Sequence, residues 1–256
     1  MATRQRVLAL DHPRVRTLFR QSSNHFVSRM PRLEHDLAEL KQMLITMGGL
    51  ADDAVRRAIS AIFSRDASVA HTAKETDKAI DGLQLDIDEK AIELLRSASS
   101  PKDVRFITVA MKIARDLERV GDEATTISRR AFELSHDTTA NPASDVVRSA
   151  EIELGMLGDA LKAFVAGDSA RARGVIPRDK EVDALNKQLH SDLTKQIMAD
   201  PGTTPRCLNF MVISKSLERI GDHAKNIAED VVYLYEGRDI RYTGRGKVRL
   251  AEPPDR

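Results

Sequence analysis

The sequence is poor in the residues that mark several common functions. It has no Trp, and aromatic residues make up only 4% of its 256 positions. That is too few for a surface that stacks bases or for an aromatic-lined pocket. It has one cysteine, Cys207. A lone Cys excludes an internal disulfide and every Cys-rich zinc module, and it points to a reducing compartment. Cys207 itself reads as a small buried apolar residue. No apolar run approaches the ~20 residues of a membrane span. The stretch from Val7 to Leu10 is too short for a signal-peptide core, so the chain is expected in the cytoplasm. Charge of one sign is also missing: 40 Lys and Arg stand against 39 Asp and Glu, a net of +1. That balance excludes the wholly basic surface of a nucleic-acid binder.

What is present is helical periodicity. Leu33, Leu37, Leu40, Leu44 and Met47 step by four and three, the spacing of a bundle seam. Gly48-Gly49 interrupts this stripe without ending it, since Ala51, Val55, Ala58 and Ile62 carry it on. Helix breakers cluster at Ser97–Pro101, Thr138–Pro142 and Pro201–Pro205. With no strand alternation, the pattern predicts helices over about 32–64, 67–97, 102–136, 143–167, 169–199 and 205–236. Pro177 should kink or restart the fifth. Residues 1–30, with six Arg and one Asp, read as a mostly flexible basic extension, and residues 238–256 as a loose tail.

An internal repeat organises the rest. IARDLERVGDEA at 113–124 recurs as ISKSLERIGDHA at 213–224, an offset of 100. Upstream, Asp77-Lys-Ala-Ile-Asp81-Gly-Leu83 recurs as Asp179-Lys-Glu-Val-Asp183-Ala-Leu185, an offset of 102. Two matched segments in the same order indicate a duplicated unit of three helices. The expected division is 31–138 and 139–237, an all-α chain of six helices.

Each unit carries two acidic i, i+4 pairs: Asp77/Asp81 and Glu118/Asp122, then Asp179/Asp183 and Glu218/Asp222. On a helix, such pairs lie one turn apart on one face and repel by a few tenths of a kcal/mol. Relative to the apolar seam they fall on the flank of the bundle, not in its core. A buried ferritin-like di-metal centre is therefore disfavoured. That centre also needs two Glu-x-x-His motifs, and only Glu133-x-x-His136 fits. The pattern describes a shallow carboxylate cluster between the second and third helix of each unit. Oxygen-only donors suit hard cations such as magnesium, calcium, manganese or iron, and His223 beside Asp222 would tilt the second site towards iron or zinc. The competing reading is salt bridging, because Arg119, Arg219, Lys78 and Lys180 sit within the motifs. Gly121 and Gly221 lie mid-helix, where Gly costs about 1 kcal/mol against Ala. Close approach of a neighbouring helix is the favoured reason, and room beside Asp122 and Asp222 the other.

The twice-repeated Leu-Glu-Arg-x-Gly-Asp, the Met47-Gly-Gly49 stretch and Asp239-Ile-Arg-x-Thr-Gly resemble the PhoU family of phosphate-specific transport accessory proteins. The resemblance spans about residues 25–240. It implies two tandem three-helix bundles and a cytoplasmic negative regulator of phosphate uptake and of the phosphate-starvation response. It implies an adaptor between the ATPase subunit of the phosphate ABC transporter and a sensor histidine kinase, peripheral to the membrane through those partners and assembled as a homodimer. It implies surface metal clusters, of iron, zinc, magnesium or manganese, held by Asp77, Asp81, Glu118, Asp122, Asp179, Asp183, Glu218 and Asp222. Thr126 against Asn226 and Glu123 against His223 depart from equal repeats, as does Pro177 within a helix that the family runs straight through. No nucleophile–base constellation is visible, which favours recognition over catalysis. A carboxylate-bound metalloenzyme and a metal-independent helical interaction protein are the competing functions.

Overall fold

The computed structural model describes residues 13–64, 69–137 and 144–241, with side chains over 32–64, 72–137 and 144–241. All of its regular structure is helical. The helices are α1 (Pro13–Ser64), α2 (Val69–Leu95), α3 (Pro101–Ser135), α4 (Ser144–Ala166), α5 (Ser169–Val175), α6 (Asp179–Ala199) and α7 (Thr204–Glu236). Short 3₁₀ turns at Ile176–Arg178 and Pro201–Thr203 precede α6 and α7. Pro177 does restart the fifth predicted helix, dividing it into α5 and α6. A proline cannot donate to the preceding turn, and the tighter 3₁₀ turn absorbs the break.

One expectation is corrected. The first helix begins at Pro13, not near residue 32, so 13–30 is part of α1. Pro13 sits at the first helical position, where its missing N–H costs nothing. No Gly or Pro follows until Pro31, so nothing in between breaks the helix. Residues 1–12, the breaker cluster at Thr138–Pro142 and the tail from residue 242 lie outside the described residues.

α1, α2 and α3 pack on one another as the first bundle, and α4, α5, α6 and α7 as the second. Ile113, Leu117, Val120, Ala124, Ile127, Ala131 and Leu134 are all buried, as are their repeat equivalents Ile213, Leu217, Ile220, Ala224, Ile227, Val231 and Leu234. The offset of 100 is thus a repeat of core as well as of sequence. Cys207 is buried too. The start of α3 is set by a capping box. The Ser100 hydroxyl accepts from the Asp103 amide, and the Asp103 carboxylate accepts from the Ser100 amide, with Pro101 at the first helical position. α7 ends at Gly237, whose φ of 70° supplies the left-handed cap.

The two bundles join chiefly where α3 packs against α7, and secondarily where α1 meets α4. At the second contact α1 stays unbroken through Gly48-Gly49, and a Cβ at Gly48 would lie 2.7 Å from Leu161 Cδ2. A side chain there would require Leu161 of α4 to move. Gly121 likewise meets α2 closely: a Cβ would lie 3.0 Å from Ile80 Cδ1. At Gly221 the nearest atom to a Cβ would be Glu153 Cγ at 3.5 Å, an ordinary contact. The equivalent glycines therefore differ. Gly221→Ala is expected to raise stability by about 0.5–1 kcal/mol, the helix-propensity gain. Gly121→Ala should gain less or lose, because buried Ile80 must shift. Urea denaturation of both variants checks this, and equal gains would contradict the packing difference.

Candidate functional site

The eight flank carboxylates gather into two clusters, each between two neighbouring helices of a bundle. In the first, α2 presents Asp77 and Asp81 and α3 presents Glu118 and Asp122. The negative charges of Asp81 and Asp122 press on Asp77, and those of Asp122, Asp81 and Asp77 press on Glu118. In the second, α6 presents Asp179 and Asp183 and α7 presents Glu218 and Asp222. Asp222 feels Asp179, Glu218 and Asp183. The placement follows from the helix period: Ile80 and Leu117, and in the repeat Val182 and Leu217, turn into the core, which leaves the acidic stripes along the rim of the α2–α3 and α6–α7 contacts. Six of the eight are half-buried, and Asp81 and Asp222 are exposed.

Their proton affinities report the crowding. Partial desolvation, then the neighbouring carboxylates, hold Asp77 above its usual range, with a hydrogen bond from Thr125 opposing the shift. Glu118 is raised by desolvation and Asp122, against Arg119. Asp222 is raised by desolvation, Asp179 and Glu218, against Lys225, although the residue as a whole is exposed. Loss of hydration and like-charge repulsion both disfavour the ionised form.

Cations answer part of this charge. Arg119 lies 3.3 Å from Glu118 and 3.2 Å from Asp122. Lys215 lies 2.8 Å from Glu218, and Lys225 pairs with Asp179. Asn186 donates to Glu218. Asp77, Asp81, Asp183 and Asp222 have no ion-pair partner among the described residues. The salt-bridge reading therefore accounts for half of the acids. As the side chains stand, no group of three or more His, Cys, Asp or Glu among the described residues converges closely enough to hold an ion.

Residues that differ between the repeats have another role. His223 Nδ1 lies 2.8 Å from Asp116 Oδ1, and Asn226 Nδ2 reaches the same oxygen at 3.3 Å. Arg219 leaves the second cluster and donates to Glu123 at 2.9 Å. Lys112 lies 3.5 Å from buried Asp230, whose carboxyl is raised by burial against the pull of Lys112 and Arg241. Each of these contacts runs between α3 and α7. His223 thus has its Nδ1 engaged by the other bundle.

One functional candidate escaped the sequence reading. Glu153 of α4 is fully buried. Its Oε1 accepts from the Ser149 hydroxyl at 3.1 Å, and its Oε2 has no hydrogen-bond partner. Burial holds this carboxyl well above the ordinary range, and Glu218 and Asp222 add to the effect. A signal was available: Glu153 is an acid in a seam of otherwise apolar and small residues, in step with Val146, Ala150, Leu157 and Ala160.

The PhoU domain model matches residues 44–131 and again 146–231, one match in each bundle. The chain belongs to the PhoU family. It is 36% identical over 227 residues to the phosphate-specific transport system accessory protein PhoU homolog of Pseudomonas putida, covering 88% of each chain. It is 30% identical to the Escherichia coli accessory protein PhoU over 82% of this chain and 87% of that one. The crystal structure of PhoU from Pseudomonas aeruginosa superposes with a TM-score of 0.78 at 35% identity, covering 80% of this chain and 99% of that one. The PhoU regulatory protein of Streptococcus pneumoniae gives 0.75 at 27% identity, covering 81% and 99%. The tandem helical bundle expected from the repeat is therefore that of the PhoU family. No helix among the described residues is long and apolar enough to cross a membrane.

The buried carboxyl yields a pH test. Glu153 in the unfolded chain ionises near its ordinary 4.5, whereas the fold holds its proton to higher pH. Its cost is absent below the unfolded value and grows as pH rises towards the folded one. Metal-free protein should therefore lose stability as pH rises above about 4.5. Glu153→Gln should flatten that slope in thermal melts. An unchanged slope would show that the carboxyl ionises in the fold as it does in the open chain.

Proposed function

We propose that this chain is a cytoplasmic negative regulator of phosphate uptake and of the phosphate-starvation response. It acts as a cation-carrying adaptor between the ATPase subunit of the phosphate ABC transporter and its sensor histidine kinase. The observation that carries the reading is the pair of equivalent carboxylate clusters on the flanks of a duplicated scaffold, in a chain that matches PhoU accessory proteins over most of its length.

The donor set supports a hard cation at each cluster. Every donor is a carboxylate oxygen, four of the eight lack an ion pair among the described residues, and a buried carboxylate oxygen without a partner lies beside the second cluster. Asp116 holds His223 Nδ1, which leaves Nε2 as its ligating nitrogen, so iron and zinc stay beside magnesium and manganese as candidates. Asp77, Asp81, Glu118 and Asp122 would hold one cation, and Asp179, Asp183, Glu218 and Asp222 the other. A bound cation supplies positive charge that draws the acids of two helices together. Binding competes with the ion pairs of Arg119 with Glu118 and Asp122, of Lys215 with Glu218 and of Lys225 with Asp179, and frees those cations at the surface. The largely apolar bundle cores fix where these faces lie. Such a surface suits recognition of partners, and a homodimer would present it twice.

Deletion of the gene is expected to leave phosphate-starvation genes expressed in high phosphate, measured with a reporter. Continued repression would overturn the regulatory reading. The double variant Glu118→Ala/Glu218→Ala should lose cation on native purification, measured by elemental analysis, and should mimic the deletion. Retention of the transporter ATPase and the kinase in a pull-down at wild-type levels, with the cation lost, would separate adaptor from cation.

A further inference from the structure

The two clusters are not equivalent beneath the surface. The offset of 102 that aligns Asp77 with Asp179 also aligns the buried positions of α1 with those of α4. Leu44, Val55 and Ala58 fall on Val146, Leu157 and Ala160, all of them buried. In that register Glu153 stands where the first bundle has Ala51, and both positions are fully inaccessible to solvent. The first cluster therefore lies over an apolar floor. At Gly121 a Cβ would meet Ile80 Cδ1 first, at 3.0 Å. The second lies over a carboxylate. At Gly221 a Cβ would meet Glu153 Cγ first, at 3.5 Å.

Glu153 makes one hydrogen bond, from Ser149, and leaves Oε2 without a partner. It has no ion-pair partner among the described residues, and the charges nearest to it in effect are Glu218 and Asp222. Burial of a carboxylic acid with an open oxygen is costly. A place beside two more carboxylates raises the cost of its ionised form, which a cation that completes the group offsets. Gly221, without a side chain, places no atom of its own beside Glu153, whose Cγ would lie 3.5 Å from a Cβ there.

We propose that Glu153 is the inner ligand of the second cluster. It closes, from below, a hard divalent-cation site whose outer ligands are Asp179, Asp183, Glu218 and Asp222. The inference rests on the reading of the clusters as cation sites and adds that the two are unequal. The second site has five carboxylates and a buried side, and the first has four and an apolar floor. Ligand number and charge set the affinity of carboxylate sites for such ions. The second bundle therefore fills first, and the first bundle is the site whose occupancy varies with cation supply.

The test uses the full chain, stripped by chelator and titrated with manganese, with free ion counted by electron paramagnetic resonance. Two classes of site are expected. Glu153→Gln weakens the tighter class at least tenfold and leaves the weaker unchanged. Asp77→Asn/Asp81→Asn does the reverse. The manganese-induced rise in Tm shrinks in Glu153→Gln, while its metal-free Tm at neutral pH is no lower than wild type. That distinguishes a lost ligand from a damaged fold. Glu153→Asp, which keeps the charge on a shorter arm, falls between the two. A tight class unchanged in both Glu153 variants, or a single class of equal sites, overturns the role of Glu153 and leaves the clusters as cation sites. No manganese binding by wild-type protein overturns the cation reading, and this inference with it.

Discussion

The packing of α3 against α7 is the contact on which the other placements depend. Each helix serves three surfaces at once. One stripe, Ile113 to Leu134 or Ile213 to Leu234, enters the core of its own bundle. A second, with Lys112, Asp116 and Glu123 on α3 and Arg219, His223, Asn226 and Asp230 on α7, ties the two bundles to each other. What remains is a third stripe, Glu118 with Asp122 and Glu218 with Asp222. A helix has 3.6 residues per turn. A residue committed to the core or to the partner helix is therefore not available to the acidic rim, and the stripes stay apart.

Duplication explains the likeness of the halves, and the α3–α7 contact explains much of their difference. The core positions repeat and the acidic rim repeats. The positions that do not repeat, Asp116 against Ser216, Glu123 against His223 and Thr126 against Asn226, include those that form complementary pairs across the joint. Glu153 against Ala51 is a second departure, beneath the rim and away from the joint. It places a carboxylate where a bundle seam ordinarily carries an apolar side chain, at the cost that burial of such a group implies.

Much of this was legible in the sequence because it is periodic. The 4-3 stepping of Leu33 to Met47, the offset of 100 between the Leu-Glu-Arg-x-Gly-Asp segments and the i, i+4 acids each follow from helix geometry, and the structure places all of them as read. Gly121, a mid-helix glycine, likewise marks a close approach, which Ile80 makes. What periodicity does not encode is which flank residues meet across two separate helices. His223 looked like a neighbour of Asp222 because adjacency in sequence was the only distance available, whereas the fold turns its Nδ1 to Asp116. Glu153 escaped because it belongs to no motif; only the register between α1 and α4 reveals it as an acid in an apolar seam. The start of α1 at Pro13 is not legible because a basic segment without a clear seam reads as loose, although nothing between Pro13 and Pro31 breaks a helix.

The central claim is that the repeated acidic rims are cation sites positioned by the bundle cores. Anomalous diffraction from crystals of the full chain grown with manganese tests it most directly. The account predicts one peak or cluster of peaks between α2 and α3 and another between α6 and α7, within coordination distance of the eight carboxylates, the second also touching Glu153. Peaks at neither rim, with Arg119 and Lys215 still paired to Glu118 and Glu218 in the presence of the ion, would contradict it.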